Sequence, residues 1–165
     1  TSTTAQLVMG DALAICLLKL RGFSDRDFAR YHPGGTLGKR LYLRVGDIAA
    51  QNQVPQVRMD TPVKVAIVEI SEKMLGVTAV MDEDRIVGVI TDGDIRRMLN
   101  KYDNISGLQA RDIMTSNPKT IGVEVLAIKA LRKMQDNDIS QLLAMEGDQY
   151  RGVVHIHNLM KEGIL

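Results

Sequence analysis

Thr91 and Asp94 stand at the predicted start of a helix, where they could bind an anion or a hydroxylated ligand. The amides at a helix N-terminus attract anions, and a carboxylate accepts hydrogen bonds from two neighbouring hydroxyl groups. The Thr-x-x-Asp spacing also fits a capping box, in which both side chains bind only backbone amides of the first helical turn. The residues alone leave both interpretations open.

His32 is a second residue that could do chemistry, as an acid or a base. It precedes Pro33, Gly34 and Gly35, which predict a turn, and a loop histidine is usually only solvated. The sequence has no nucleophile paired with a base, no metal-ligand spacing and no Walker-type phosphate loop. It therefore does not indicate a free-standing enzyme, and no cofactor or metal is expected to be required.

The elements that position Thr91 and Asp94 belong to a duplicated unit. Gly88–Met98 is echoed by Gly152–Lys161, and the offset between the two glycines is 152 − 88 = 64. Two further pairs match in the same order, at offsets of 112 − 47 = 65 and 134 − 74 = 60: Asp47-Ile48 with Asp112-Ile113, and Val63–Met74 with Val123–Met134. Three ordered anchors indicate duplication with changes in loop length.

Each copy is predicted to fold as strand, helix, strand, strand, helix. In the first copy the elements are Leu41–Val45, a helix from Thr61-Pro62 to Gly76, Val77–Met81, Ile86–Ile90 and a helix from Thr91, with a freely varying polar loop at Gln51–Gln56. In the second copy they are Thr120-Ile121, Val123–Gln135, Ile139–Met145, Tyr150–Val154 and Asn158–Glu162. The residues predicted to face the core from the first-copy helices are Val65, Val68, Met74, Leu75, Ile95, Met98 and Leu99. Because one such unit buries little surface, the two copies are expected to pack sheet to sheet.

Residues 1–40 lie outside the duplication. Ala5–Leu20 is predicted as one helix with an apolar face, and Asp25–Arg30 as a short second helix. Neither could form a core alone, so we expect a partner domain on the N-terminal side, and a start without Met favours a fragment. The chain is therefore divided into residues 1–40, a first module at 41–106 and a second module at 107–165.

Composition excludes several classes of protein. The net charge is +1, which gives no strong positive electrostatic potential for nucleic acid. The chain has only four Tyr, two Phe and no Trp, which leaves little aromatic surface for base stacking. Cys16 is the only cysteine, so no disulfide framework exists and a cytoplasmic setting is favoured. The longest apolar run, Ala12–Leu18, is shorter than the roughly 20 residues of a membrane span.

The motifs MGDALA, HPGGTLG and TDGDIRR resemble the bacterial arabinose-5-phosphate isomerase family, at the junction where a sugar isomerase domain is followed by two cystathionine-beta-synthase-type modules. The resemblance covers essentially the whole chain. It implies an α/β fold, in which a helical remnant of the isomerase domain precedes a tandem pair of β-α-β-β-α modules. These modules would be related by a pseudo-twofold axis, with two clefts between them. The family interconverts D-ribulose 5-phosphate and D-arabinose 5-phosphate for the octulosonate sugar of lipopolysaccharide.

The resemblance also implies roles for individual residues. His32 matches the family's acid-base histidine, whose catalytic partners lie upstream of the matched region, so this chain alone is expected to be inactive. Thr91 would hold phosphate or ribose, and Asp94 would accept the ribose hydroxyls. The other candidate contacts to a nucleotide are Arg96, Arg97, Lys119, Thr120, His155 and Asn158.

The second copy departs from this pattern, because His155 and Asn158 replace the threonine and the aspartate. A carboxylate clamp on ribose is lost there, although an asparagine can still bind a hydroxyl and a protonated histidine can meet a phosphate. One ligand per chain is therefore expected, in the cleft of Thr91 and Asp94.

The sequence thus predicts a regulatory pair of modules that binds an adenine or cytidine nucleotide and changes the activity of its own isomerase domain, within a homodimer or homotetramer. The alternative is a ligand-free structural module that holds isomerase subunits together. In that case Thr91 and Asp94 are only a helix cap.

Overall fold

The computed structural model describes residues 1–24, 27, 31 and 36–164. Contacts divide the chain into two compact units, Thr1–Tyr42 and Leu43–Leu165. His32 and the turn that follows it lie outside the described residues, as does most of the predicted helix Asp25–Arg30.

The first unit contains helix α1, Ser2–Leu20, and helix α2, Thr36–Tyr42. Helix α1 confirms the predicted N-terminal helix, and it ends because Gly22 adopts a φ of 62° and the Phe23 amide bonds back to the Leu18 carbonyl at 2.9 Å. None of its side chains is buried. By length and mean hydropathy (1.4) it could cross a membrane, which is weak evidence because core helices of soluble proteins share these features.

The second unit contains the duplicated elements, and in each copy the predicted order of strand, helix, strand, strand, helix follows a short helix that the sequence did not predict. The first set is helix α3 Val45–Ala49, strand β1 Gln56–Arg58, helix α4 Val63–Lys73, strands β2 Val77–Asp82 and β3 Arg85–Thr91, and helix α5 Asp92–Lys101. The second set is helix α6 Ala110–Ile113, strands β4 Thr115–Ser116 and β5 Thr120–Gly122, helix α7 Ala127–Asp136, strands β6 Gln141–Glu146 and β7 Gln149–His155, and helix α8 Ile156–Lys161.

The strands form two sheets with closely matching registers. The first has the order β1-β2-β3-β4 and the second β5-β6-β7. In each sheet the first pair is parallel and the hairpin is antiparallel, with a bulge after Val80 in one and after Ala144 in the other. The offset between the two bulges is 144 − 80 = 64, which confirms the offset given by Gly88 and Gly152.

Three clusters of buried side chains form the core of this unit. One joins the first sheet to α4 through residues such as Val57, Ile70 and Ile90. A second joins the second sheet to α7 and α8, and a third joins the strands of both sheets through Val77 and Leu143 among others. The expected packing of sheet against sheet is therefore observed in this third cluster.

The short helices α3 and α6 each pack against the other copy. Ile48 of α3 belongs to the core of the second sheet, and the amide of Val45 donates to the Val125 carbonyl at 2.9 Å. Ala110 of α6 belongs to the core of the first sheet, and its amide donates to the Thr61 carbonyl at 2.8 Å. Each half of the unit is therefore completed by the segment that precedes the other repeat.

Three assignments of secondary structure were wrong. Leu41–Val45 is not a strand, because Tyr42 ends α2 and only Arg44 forms an isolated bridge, to Leu126. The first strand is β1, whose Gln56 was assigned to a polar loop, and it forms because it pairs in parallel with β2. The helix predicted from Val123 begins four residues later, at Ala127.

Four residues predicted to be buried are exposed. They are Val65 and Val68 at 52%, Met74 at 87% and Leu99 at 57%. The side chains that α4 buries are Val63, Ala66 and Ile70, so its buried stripe is rotated from the predicted one. Leu75 and Met98 are buried as predicted.

Candidate functional site

Thr91 and Asp94 form a complete capping box at the N-terminus of α5. The Asp94 amide donates to Thr91 Oγ1 at 3.3 Å, while Asp94 Oδ2 accepts the Thr91 amide at 2.8 Å and the Thr91 hydroxyl at 2.6 Å. The helix begins here because these side chains satisfy amides that have no partner inside the helix. The structural role suggested by the Thr-x-x-Asp spacing is therefore present.

The second carboxylate oxygen of Asp94 is held by residues outside the capping box. Oδ1 accepts from the Arg97 guanidinium at 2.5 Å and from the Thr115 hydroxyl at 2.9 Å. Asp94 is only 5% exposed, and burial raises the pKa of this carboxyl. The hydrogen bonds from Thr91, Arg97 and Thr115 outweigh burial, so the pKa of Asp94 lies below its usual value. The group is therefore a buried carboxylate anion.

A cavity of about 300 Å³ opens beside this carboxylate. Its apolar wall comes from β2, β3, β6 and the segment that leads into β6, and includes Val77, Val89, Ile139 and Leu143. Its polar residues are Thr91, Asp94, Arg97, Thr115, Asn117, Lys119 and Gln141. Both sheets contribute to it, so the cavity exists only because the two copies pack together. An apolar wall with a few convergent polar groups is the usual character of a small-molecule site.

The residues predicted to surround the Thr91 and Asp94 site separate into two groups. Thr91, Asp94 and Lys119 line the cavity, as does Arg97. Arg96 lies on the exposed side of α5, where its Nε is 3.4 Å from the Asp92 carbonyl. Thr120 borders a different groove, with Asp84 and Asp148. Helix geometry explains the difference between the arginines, since Arg97 lies three residues after Asp94 and shares its face.

Two cavity residues have no signal in the local sequence pattern. Thr115 reaches Asp94 from β4, across 21 residues of chain. Asn117 lines the cavity with a φ of 56°, a left-handed conformation that asparagine tolerates better than other non-glycine residues. Only the pairing of β4 with β3 brings this segment to the start of α5.

The second-copy residues His155 and Asn158 form the corresponding capping box on α8, and the side chain of Asn52 is hydrogen-bonded to Asn158. Asn158 Oδ1 accepts from the His155 amide at 3.2 Å and from Asn52 Nδ2 at 3.0 Å. Asn158 Nδ2 donates in return to Asn52 Oδ1 at 3.3 Å, and Asn52 also donates to the Val153 carbonyl. Asn52 thus bonds to the capping side chain Asn158 as Thr115 bonds to Asp94. In the second copy, a pair of asparagine amides takes the place of the carboxylate and its hydroxyl partner.

The imidazole of His155 should make stability depend on pH. Burial and the nearby His157 ring, whose centroid is 4.8 Å away, lower the pKa of His155. The unfolded chain therefore takes up this proton first, so the free energy of unfolding should fall as the pH drops below about 6.5. Asp94 affects stability at lower pH. Because its pKa is lowered in the folded chain, its contribution to the free energy of unfolding is retained until the pH falls below 3.8.

His155→Asn tests this dependence, since asparagine retains a good N-cap without a titrating group. Urea unfolding between pH 8 and pH 5.5 should show a smaller loss of stability for the variant than for the wild type. His157→Asn removes only the smaller of the two causes of the lowered His155 pKa, so its loss of stability should lie between those of the wild type and His155→Asn. Equal losses in wild type and His155→Asn would show that His155 does not titrate in this range.

Two β-α-β-β-α units pack together through their sheets as a tandem pair of related modules, with a cavity of about 300 Å³ bounded by both sheets. The chain belongs to the CBS domain family, whose model matches residues 45–101 and 110–164. The matches cover both copies of the duplicated unit.

Relatives and solved structures agree with this assignment. Arabinose 5-phosphate isomerase KdsD of Yersinia pestis is 44% identical over 167 residues, covering all of this chain and 51% of that protein. The chain thus spans about half the length of the curated relatives it matches. A CBS domain protein from Pyrobaculum aerophilum, solved in complex with AMP, superimposes with a TM-score of 0.63 at 20% identity, covering 71% of this chain and 90% of that one. The CBS domain pair of protein MJ0100, in complex with 5′-methylthioadenosine and S-adenosyl-L-methionine, gives 0.64 at 20% identity, with 73% and 94% covered.

Proposed function

We propose that this chain is the nucleotide-sensing part of a sugar-phosphate isomerase, and that an adenine nucleotide binds in the cavity beside Asp94. The observation that carries the proposal is the combination of a buried carboxylate, a helix N-terminus and an apolar wall around one cavity. The apolar wall suits a base, Asp94 suits ribose hydroxyls, and Lys119 with the amides of α5 suits a phosphate.

The ligand class is supported by fold relatives. The Pyrobaculum protein is described in complex with AMP, and the MJ0100 pair with two adenosine derivatives. Adenine is therefore favoured over the cytidine nucleotide that the sequence left open. Asn158, paired with Asn52, supports one functional cleft per chain.

The role of the whole protein is proposed from the isomerase relatives. It would interconvert D-ribulose 5-phosphate and D-arabinose 5-phosphate in the cytoplasm, with residues 1–40 belonging to its isomerase domain and His32 supplying acid-base chemistry. Exposed apolar residues along α1, among them Leu7, Leu13 and Leu20, fit a helix that packs against further protein. The ligand would regulate activity by binding one arrangement of the homodimer or homotetramer better than another.

Thermal unfolding of the 165-residue chain with AMP, ADP, ATP, S-adenosylmethionine and CMP tests the binding proposal. A ligand at about 100 times its Kd adds roughly 2.7 kcal/mol, which should raise the Tm by roughly 5 to 10 °C for a chain of this size. Titration calorimetry should then give one ligand per chain. Inorganic phosphate at matched ionic strength controls for general anion effects.

Regulation is tested separately, by isomerase assays of the natural protein that carries this chain. The nucleotide that raises the Tm should change kcat or KM at the concentrations that saturate the chain. Binding without any change in turnover would remove the regulatory part of the proposal and leave the ligand site.

A ligand-free structural role is the second candidate, and it too has supporting observations. All bonds of Asp94 are satisfied within the chain, and Val65, Val68 and Leu99 expose apolar surface on α4 and α5. This role predicts no thermal shift with any of the nucleotides, together with loss of the oligomer of the natural protein on Val68→Glu. A thermal shift abolished by a change at Asp94 would count against it.

A further inference from the structure

The Asp94 carboxylate has no free acceptor position for a ribose. A carboxylate offers about four lone-pair sites, and those of Asp94 receive the Thr91 amide, the Thr91 hydroxyl, the Arg97 guanidinium and the Thr115 hydroxyl. A vicinal diol that binds Asp94 must therefore displace a partner that is already present.

Arg97 is the partner that is easiest to displace. The Thr91 bonds hold the helix cap, and losing them would leave the first turn of α5 unsatisfied. The Arg97 side chain is 71% exposed and sits on a flexible stem, so water can solvate its guanidinium as soon as it leaves. Moving Arg97 leaves no buried group without a hydrogen-bond partner, because a hydroxyl of the diol then donates to Asp94 Oδ1.

The released guanidinium stays at the cavity. Arg97 lines the same 300 Å³ space as Lys119. Its side chain folds back along α5, so that a Cβ added at Gly93 in the first turn would lie 3.4 Å from the Arg97 guanidinium. A guanidinium binds phosphate through paired N–H donors, which makes it a better phosphate ligand than a single ammonium group.

We propose that Arg97 exchanges partners when ligand binds, leaving Asp94 to the ribose hydroxyls and moving to the phosphate. This inference rests on the proposed nucleotide site and adds a selection rule to it. A nucleoside must displace Arg97 without offering its guanidinium another anion, whereas a nucleotide supplies its phosphate. The Arg97–Asp94 ion pair therefore lowers the affinity for unphosphorylated nucleosides relative to nucleotides.

Arg97→Met tests the exchange, because methionine keeps the length and helix propensity but has no donor. Calorimetry should show the variant binding adenosine about tenfold tighter than the wild type, since a charge-assisted bond no longer has to be broken. AMP should bind about fivefold weaker, since one phosphate partner of charge-assisted strength is missing. The opposite signs distinguish exchange from a structural role, which would weaken both ligands together.

Controls separate this proposal from the one it rests on. Lys64→Met removes an exposed positive charge on α4 and should leave both affinities within about twofold. Arg97→Gln keeps a shorter, uncharged donor and should give an intermediate adenosine affinity, which covers the case in which Arg97→Met unfolds. Wild-type chain that binds neither AMP nor adenosine would overturn the nucleotide site and the exchange together. Wild-type binding of AMP, with Arg97→Met weakening or sparing both ligands alike, would overturn the exchange alone.

Discussion

Asp94→Ala is expected to abolish the thermal response to adenine nucleotides and to lower the free energy of unfolding by about 2 kcal/mol. The substitution leaves the Thr91 amide and the Thr115 hydroxyl without their acceptor. The Arg97 guanidinium loses its partner too, but it is mostly exposed and returns to water, so most of the loss comes from the cap. Binding is lost because the carboxylate is the only acidic group that lines the cavity among the described residues.

Asp92→Ala is the matched control. Asp92 occupies the first turn of the same helix, is exposed and lies outside the bonds around Asp94. Its loss removes only a favourable interaction with the helix dipole, about 0.5 kcal/mol, and should leave the nucleotide response intact. Urea unfolding gives the stability of each variant, and thermal scans with saturating AMP give the response. An Asp94→Ala chain that is destabilised yet still responds would mean that Asp94 acts only as a helix cap.

The capping box could be predicted from sequence because it is local. Thr91 and Asp94 are three residues apart, and the hydrogen bonds between them follow from the geometry of any helix N-terminus. The rest of the site depends on tertiary structure. Thr115 and Asn117 come from the segment that follows α6, and Ile139 and Leu143 from the other sheet, so no spacing in the sequence brings them together.

The offset between the repeats shows where pattern matching fails. Val63–Met74 matched Val123–Met134 at an offset of 134 − 74 = 60, but α4 begins at Val63 and α7 at Ala127, an offset of 127 − 63 = 64. The left-handed residues at the C-terminal ends of these helices, Met74 and Asp138, agree with 138 − 74 = 64. An error of four residues is about one helical turn and places apolar residues on nearly the same face, so periodicity alone could not detect it.

The packing of α3 and α6 against the opposite copy could likewise not be predicted from the sequence. Asp47-Ile48 and Asp112-Ile113 are correctly matched as repeats, but the match does not indicate which core receives each isoleucine. The exposure of Val65 and Val68 has a related cause, since valines on either side of the buried Ala66 fit a helical stripe whose direction is set only by packing.

Leu142 and Leu143 test whether the two faces of β6 have different roles, one in stability alone and the other in ligand binding as well. Both lie on β6 and both are almost fully buried, at 1% and 2% exposed. Leu142 points into the cluster shared with α7 and α8, while Leu143 belongs to the cluster between the sheets and lines the cavity. Alanine at either position should cost about 3 kcal/mol in free energy of unfolding.

Their effects on ligand binding should differ. Leu143→Ala removes apolar wall from the cavity and should weaken AMP about tenfold, because roughly 1.5 kcal/mol of apolar contact is lost. Leu142→Ala should leave the AMP affinity within about twofold, since its side chain lies on the opposite face of β6. Urea unfolding and calorimetry on both variants separate stability from affinity. Equal weakening by both substitutions would mean that binding follows overall stability, whereas loss confined to Leu143→Ala would place the ligand against the surface that only the packed pair of sheets creates.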